Sequence, residues 1–272
     1  MNLDWHVGKV AKRLPHLKKP VLVAGLPGIG NVGKLAADAL VDGLKAKKAY
    51  EFFSYAFPHS VFVNESNLVE LPTISLYYAT CPKGKHDLLI LAGDVQPIDE
   101  YSCYEFSDTV LDLCLRLGLS QVVTLGGIGL PTLPREPKVF ITGNSTELID
   151  AYRKGTKADS NLFGIVGPII GVSGLLVGLA GRRKVRAVAM LAETYGHPLY
   201  LGMRGSRQLL AVLNTKLSLG LDLSKFDSDI REMDQDMIRK GKDLGLAVQQ
   251  GLSEGSLQSR RQQLSKETSY IG

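Results

Sequence analysis

The stretch VLVAGLPGIGNVGKL, residues 21–35, joins an apolar run to a set of glycines and a lysine. Gly28, Gly30 and Gly33 match GxGxxG, the spacing with which a strand-to-helix turn receives a dinucleotide pyrophosphate. Gly28, Gly33 and Lys34 match GxxxxGK, most of a phosphate-binding P-loop. The first pattern also needs an acid about 20 residues on, at a strand end, to hold the ribose. Asp42 falls in or just after the helix, and Glu51 in the middle of the next strand. The second pattern needs a Ser or Thr after the lysine for Mg²⁺, and Leu35 stands there. What remains is a tight corner. Its backbone N–H groups at Gly28, Gly30, Asn31 and Gly33 form a candidate anion site at a helix start. The plainer expectation is that the glycines only let the turn close.

A second set of residues has types suited to proton transfer. LLILAGD ends an apolar strand on Asp94, and AETYGHP ends another on Glu193, with His197 four residues later. Asp94, Glu193 and His197 near strand ends would serve as an acid–base set, with GGIGLPTLPRE as a covering loop. The alternative for Glu193 is a carboxylate that accepts hydrogen bonds from loop backbone. The five histidines form neither HxH nor HExxH, so no metal centre is expected. No GxSxG elbow occurs, and no cofactor is expected. Cys81, Cys103 and Cys114 are few, unpaired in spacing and suited to a reducing cytoplasm. Cys114 lies on an apolar helical stripe, as a core residue would.

Composition allows ordinary globular packing. The 272 residues are 44% hydrophobic and 22% charged, with a formal net charge of +5. The segment 221–272 carries nine acids and eight bases, so no basic tail points to nucleic acid. The first twenty residues lack the apolar run of a signal peptide. Residues 161–181 are uncharged and precede Arg182, Arg183 and Lys184, as a membrane span would. Six glycines and Pro168 oppose that; a turn, a short buried helix and a strand are expected there, and no membrane.

Strand and helix patterns alternate through the first 220 residues. VLVAG, AYEFF, VFVNE, LPTISLYYA, HDLLILAG, QVVTLGG, KVFITGN and VRAVAMLAET read as strands. Residues 31–44, 99–117, a segment capped by Asn144 or Ser145, and SRQLLAVLNTKLSLGL read as helices. This pattern predicts an α/β fold with helices on both faces of a sheet. LPTISLYYA and HDLLILAG, joined around CPKGK, predict a hairpin and so a mixed sheet. Phe226, Ile230, Met233 and Met237 recur at helical spacing, on a helix that packs on its own domain or on another subunit. The expected organisation is an α/β core over 1–223, a helix over 224–250 and a mobile polar tail over 251–272, ending in Tyr270 and Ile271.

GLPGIGNVG after the first strand, LAGD at 91–94, LGGIG near 127, GIVGPIIGVSGLL, and AETYGHP at 192–198 occur in this order. Together, over roughly residues 20–240, they resemble the PAC2 family, the archaeal relatives of proteasome assembly chaperones. The resemblance implies a three-layer α/β/α fold with a mixed, largely parallel sheet, similar to purine nucleoside phosphorylase, plus a helical C-terminal addition. It implies a non-enzymatic cytoplasmic homo-oligomer whose partner is the 20S proteasome or its α subunits. Family members that engage the proteasome insert a tail with a penultimate tyrosine between α subunits. Here the sequence reads Ser269, Tyr270, Ile271, Gly272, with the tyrosine third from the end.

Overall fold

The computed structural model describes residues 5–81, 84–162, 167–198, 200–224 and 226–232. The chain divides after Leu223 into two units. In the second, Ser224 and residues 226–232 are helical; Met233, Met237 and the segment 269–272 lie outside the described residues.

In the first unit the chain runs β1 (His6–Lys9), β2 (Val21–Gly25), a 3-10 turn (Ile29–Asn31) and α1 (Val32–Gly43). Then come β3 (Lys47–Phe53), β4 (Phe62–Val63), β5 (Val69–Glu70), β6 (Ile74–Ala79) and β7 (Leu88–Gly93). It continues with α2 (Glu100–Arg116), β8 (Gln121–Leu130), β9 (Val139–Gly143) and α3 (Thr146–Arg153). The last elements are α4 (Val172–Arg182), β10 (Arg186–Tyr195) and α5 (Met203–Leu217).

An eight-stranded mixed sheet has the order β1-β3-β6-β7-β2-β8-β10-β9. Its centre, β7-β2-β8-β10, is parallel. The pairs β1–β3, β3–β6, β6–β7 and β9–β10 are antiparallel. The expectation of a largely parallel sheet is thus corrected: parallel pairing is confined to the centre. Residues 80–87 are too few for the dozen or more that a parallel crossover needs, so β6 and β7 form a hairpin. Every residue of β2 is buried, as expected for a strand covered on both faces.

Leu22 and Ala24 of β2 join Leu89 and Leu91 in one core with Phe106 and Val110 of α2 and Leu176 of α4. The opposite face of β2 meets α1, because a Cβ on Gly25 would touch Gly33 and Ala37. There α1 packs beside α5. Helices therefore cover both faces. Asp99 opens α2 by accepting the Ser102 N–H at 3.0 Å, and Ser145 opens α3 by accepting the Leu148 N–H at 3.2 Å. Asn144, the other candidate cap, instead donates to the Val177 and Val185 carbonyls and accepts the Ala187 N–H.

The expected strand VFVNE shrinks to two residues, paired only with Val69–Glu70. QVVTLGG extends to Leu130, so Gly126, Gly127 and Gly129 lie in a strand. The uncharged stretch holds the 11-residue α4; among the described residues no helix is long and apolar enough to cross a membrane.

Candidate functional site

The carboxyl ends of the parallel strands bring together the glycine corner, Asp94, the end of β8 and the segment around Glu193. In open α/β sheets this edge is where ligands bind, so the sequence candidates are placed here first.

The corner is a packed joint. Gly30 has φ +60° and Asn31 φ 52°, a left-handed pair that glycine and asparagine tolerate best. A Cβ on Gly30 would stand 2.8 Å from Thr194 Oγ1, and one on Gly33 2.3 Å from the Leu125 carbonyl oxygen. From the other side, a Cβ on Gly127 would stand 2.4 Å from the Ile29 carbonyl oxygen. The Gly202 N–H donates to the Gly30 carbonyl at 2.7 Å. The Asn31 N–H donates to Gly28 O at 2.9 Å, and the Val32 N–H to Ile29 O. Of the four anion-site candidates, Gly28 faces open space, Gly30 and Gly33 face protein, and Asn31 spends its N–H inside the turn.

Lys34 does not project toward the corner's mouth as a free cation. Its ammonium lies 2.9 Å from Asp38 and 3.3 Å from Asp94. Burial opposes its charge, yet the two carboxylates hold its pKa above the ordinary lysine value. This bridge ties α1 to the end of β7, a link that sequence spacing does not announce. Gln96, two residues beyond Asp94, makes a second. Its amide donates to the Pro27 carbonyl and accepts the Val172 N–H at 3.1 Å. The sequence signal is a glutamine directly before Pro97, three residues past the end of β7.

Asp94, Glu193 and His197 are not gathered into one constellation. β2 and β8 separate β7 from β10, which puts Asp94 and Glu193 about 14 Å apart at ordinary strand spacing. Glu193 instead accepts the Lys138 N–H at 2.9 Å, and its own N–H donates to Lys138 O at 3.0 Å. It latches the end of the 131–138 loop to β10. The His197 ring stacks on Tyr195, with centroids 5.7 Å apart and planes 12° from parallel. Among the described residues no group of three or more His, Cys, Asp or Glu could hold a metal. Two cavities, about 600 Å³ lined by Arg13, His16, Lys45 and Lys47 and about 310 Å³ lined by Lys85, His86 and Lys216, open on the opposite edge, where the central parallel strands begin.

What the carboxyl edge does expose is apolar surface. The insertion between β3 and β6 carries Val61, Phe62, Val63, Leu68, Val69 and Leu71, all exposed. Tyr55, Ile98 and Tyr101 stand exposed in the neighbouring segments, and Ile29, Leu133, Ile170 and Leu201 in the loops of the same edge. The other exposed large apolar side chains among the described residues are Val10, with Tyr104 and Leu115 farther along α2. This pattern was not foreseen from sequence, where VFVNE passed as an ordinary strand.

Comparison with known proteins agrees with this architecture. The chain is similar to the crystal structure of Pyrococcus furiosus PbaB, an archaeal proteasome activator, with 30% identity and a TM-score of 0.79 over 89% of this chain and 100% of that one. It shares its fold with Pyrococcus furiosus PbaA, an archaeal homolog of proteasome-assembly chaperone, at 22% identity and a TM-score of 0.70 over 97% of this chain and 99% of that one. An uncharacterized protein of Methanocaldococcus jannaschii is 31% identical over 192 residues, 70% of this chain and 72% of its own. The PAC2 family profile matches residues 22–239. The chain belongs to the PAC2 family.

Proposed function

We propose that this protein is a cytoplasmic, homo-oligomeric, non-enzymatic partner of the 20S proteasome or of its α-subunit intermediates, related in role to proteasome assembly chaperones. The observation that carries this is its 30% identity to an archaeal proteasome activator along that protein's whole length. The carboxyl edge supports it: the glycine corner is filled by Thr194, Gly127 and Gly202, and the acid–base candidates stand apart. Residues 269–272, outside the described part, are the proposed docking tail; several copies on one ring would add avidity without new contacts.

The test is retention of the full chain on immobilised 20S cores and on free α subunits. Retention that weakens when residues 266–272 are removed is the expected result. Equal retention without them eliminates the tail as the docking element. No retention on either target overturns the proposed role. Calorimetry with ATP, NAD and nucleosides addresses the enzyme alternative: micromolar binding lost on Gly28→Val, at the candidate position that faces open space, would establish the corner as a nucleotide site.

A further inference from the structure

Hairpin 61–71 departs from the pattern of a solvated surface loop. It leaves the sheet where β3 ends and β6 begins and is held by a two-rung ladder, Phe62 opposite Glu70 and Val63 opposite Val69. Val63 and Val69, directly opposed, are 66% and 69% exposed. Its tip is well hydrogen-bonded. Asn64 Oδ1 accepts the N–H groups of Ser66 and Leu68, and its amide donates to Glu70 at 2.6 Å. Asn67, at φ 58°, completes the turn. The apolar side chains are therefore presented in one shape on a built loop.

We propose that this hairpin, with Tyr55 and Ile98 beside its base, is the surface on which a second copy of this chain packs. The proposal rests on the homo-oligomer part of the function proposed above and adds where the contact lies. The Ile98 N–H donates to the Ala56 carbonyl at 3.2 Å, which sets Ile98 against the segment that carries Tyr55, itself 85% exposed. Summed over both faces of the hairpin, the exposed apolar surface of this group is on the order of 600–700 Å², at the top of the roughly 300–600 Å² of the largest patch on a typical monomer. With the exposed polar residues of the same hairpin, Glu65, Ser66 and Glu70, it approaches the about 800 Å² per partner of a standard interface.

The chemistry favours a permanent contact. The hairpin displays Val, Leu and Phe, the more hydrophobic composition of permanent interfaces, which resemble a core cut in half. A two-stranded hairpin is marginal in water and needs something to pack on. Its aliphatic faces would promote aggregation if left bare after folding. The partner present in matching amount whenever this chain is made is the chain itself. Residues 57–72 contain Glu65 and Glu70 and no Lys or Arg, the wrong charge for an anionic lipid surface.

The experiment is native mass spectrometry and sedimentation of the full chain at micromolar concentration, without proteasome. The expected result is an oligomer that Val63→Glu with Val69→Glu converts to monomer with an unchanged far-UV circular dichroism spectrum. Val10→Glu, at an exposed apolar site elsewhere, should leave the oligomer intact. Hydrogen exchange provides a second measurement free of substitutions: the amides of residues 61–71, exposed in a single chain, should exchange slowly in the oligomer. A monomeric wild type, a double variant that keeps the oligomer's mass, or exchange over 61–71 as fast as in an open loop would each overturn the proposal. Loss of 20S retention in the double variant of a monomeric wild type would assign the hairpin to a different protein. Oligomers that dissociate as expected yet never bind cores or α subunits would leave this surface standing and remove the proteasome role.

Discussion

Gly33 and Leu125 meet so closely that a Cβ on the glycine would stand 2.3 Å from the leucine's carbonyl oxygen. The first turn of α1 thus lies on the backbone of β8. The same strand is bare of side chains where it meets the corner, at Gly127 and Gly129, whose Cβ atoms would meet Ile29. Two nucleotide-binding motifs share this glycine spacing because they too bring a helix start close to a strand. In this chain the closeness joins helix to strand.

That contact sets the tolerance of the corner. Gly33→Ala should cost about 3 kcal/mol, since backbone faces backbone and neither side can yield cheaply. Gly28→Ala meets nothing within 4 Å and has extended backbone at φ −171°; its cost should stay within about 0.5 kcal/mol. Urea denaturation of the two variants checks the contrast, and equal costs would contradict the packing described.

Glu193 is expected to behave as a latch. Glu193→Ala leaves the Lys138 N–H without its carboxylate acceptor, at a cost of about 1 kcal/mol, and should speed hydrogen exchange at residues 131–138. Retention on 20S cores should not change. A loss of retention without faster exchange in that loop would give Glu193 a role in partner contact.

Acid should weaken the fold through groups that favour the ionised form when folded. Backbone and hydroxyl hydrogen bonds from Ser102 hold the Asp99 carboxyl below its ordinary value. The Ser145 hydroxyl does the same for Glu147, and the Asn161 N–H for Asp159. A lowered folded pKa contributes stability that is present above the unfolded value and lost as pH falls through the folded one. Thermal midpoints should therefore decline as pH drops below about 4. Asp99→Asn should flatten part of that decline; an unchanged curve would show that the Asp99 charge contributes nothing.

The three thiols should be slow toward thiol reagents in the native protein. All are buried. Burial pushes Cys81 up to about 11 and raises Cys103. Cys114, fully enclosed in the core, is pushed up further by the same cause. At pH 7.4 little thiolate exists for attack. Labelling with an aromatic disulfide should wait for denaturant; a rapidly labelled native thiol would contradict the burial.

Elements with a local chemical signal were legible in the sequence. Asp99 and Ser145 mark helix starts by their side-chain oxygens, and the eleven-residue α4 follows from glycines that interrupt an apolar run. β1 was missed because HVGK is short and mostly exposed, held instead by pairing with β3 and by Trp5 on Phe106. The length of β8 was missed because two of its glycines, Gly127 and Gly129, answer to Ile29, a residue about a hundred positions away. Of the candidate site, the corner and Glu193's alternative task as a loop acceptor were legible. The Lys34–Asp94 bridge was not, since only the pairing of β2 with β7 brings those residues together.

Gln96 has a consequence for how the carboxyl edge holds together. Its amide is planar, with one end on Pro27 of the α1 side and the other on Val172 at the start of α4 on the opposite face. Turning it over would set donor against donor and carbonyl against carbonyl, so its orientation is fixed. The turn before α1 and the head of α4 therefore share one side chain, and losing its amide would strand a backbone group on each face of the sheet at once.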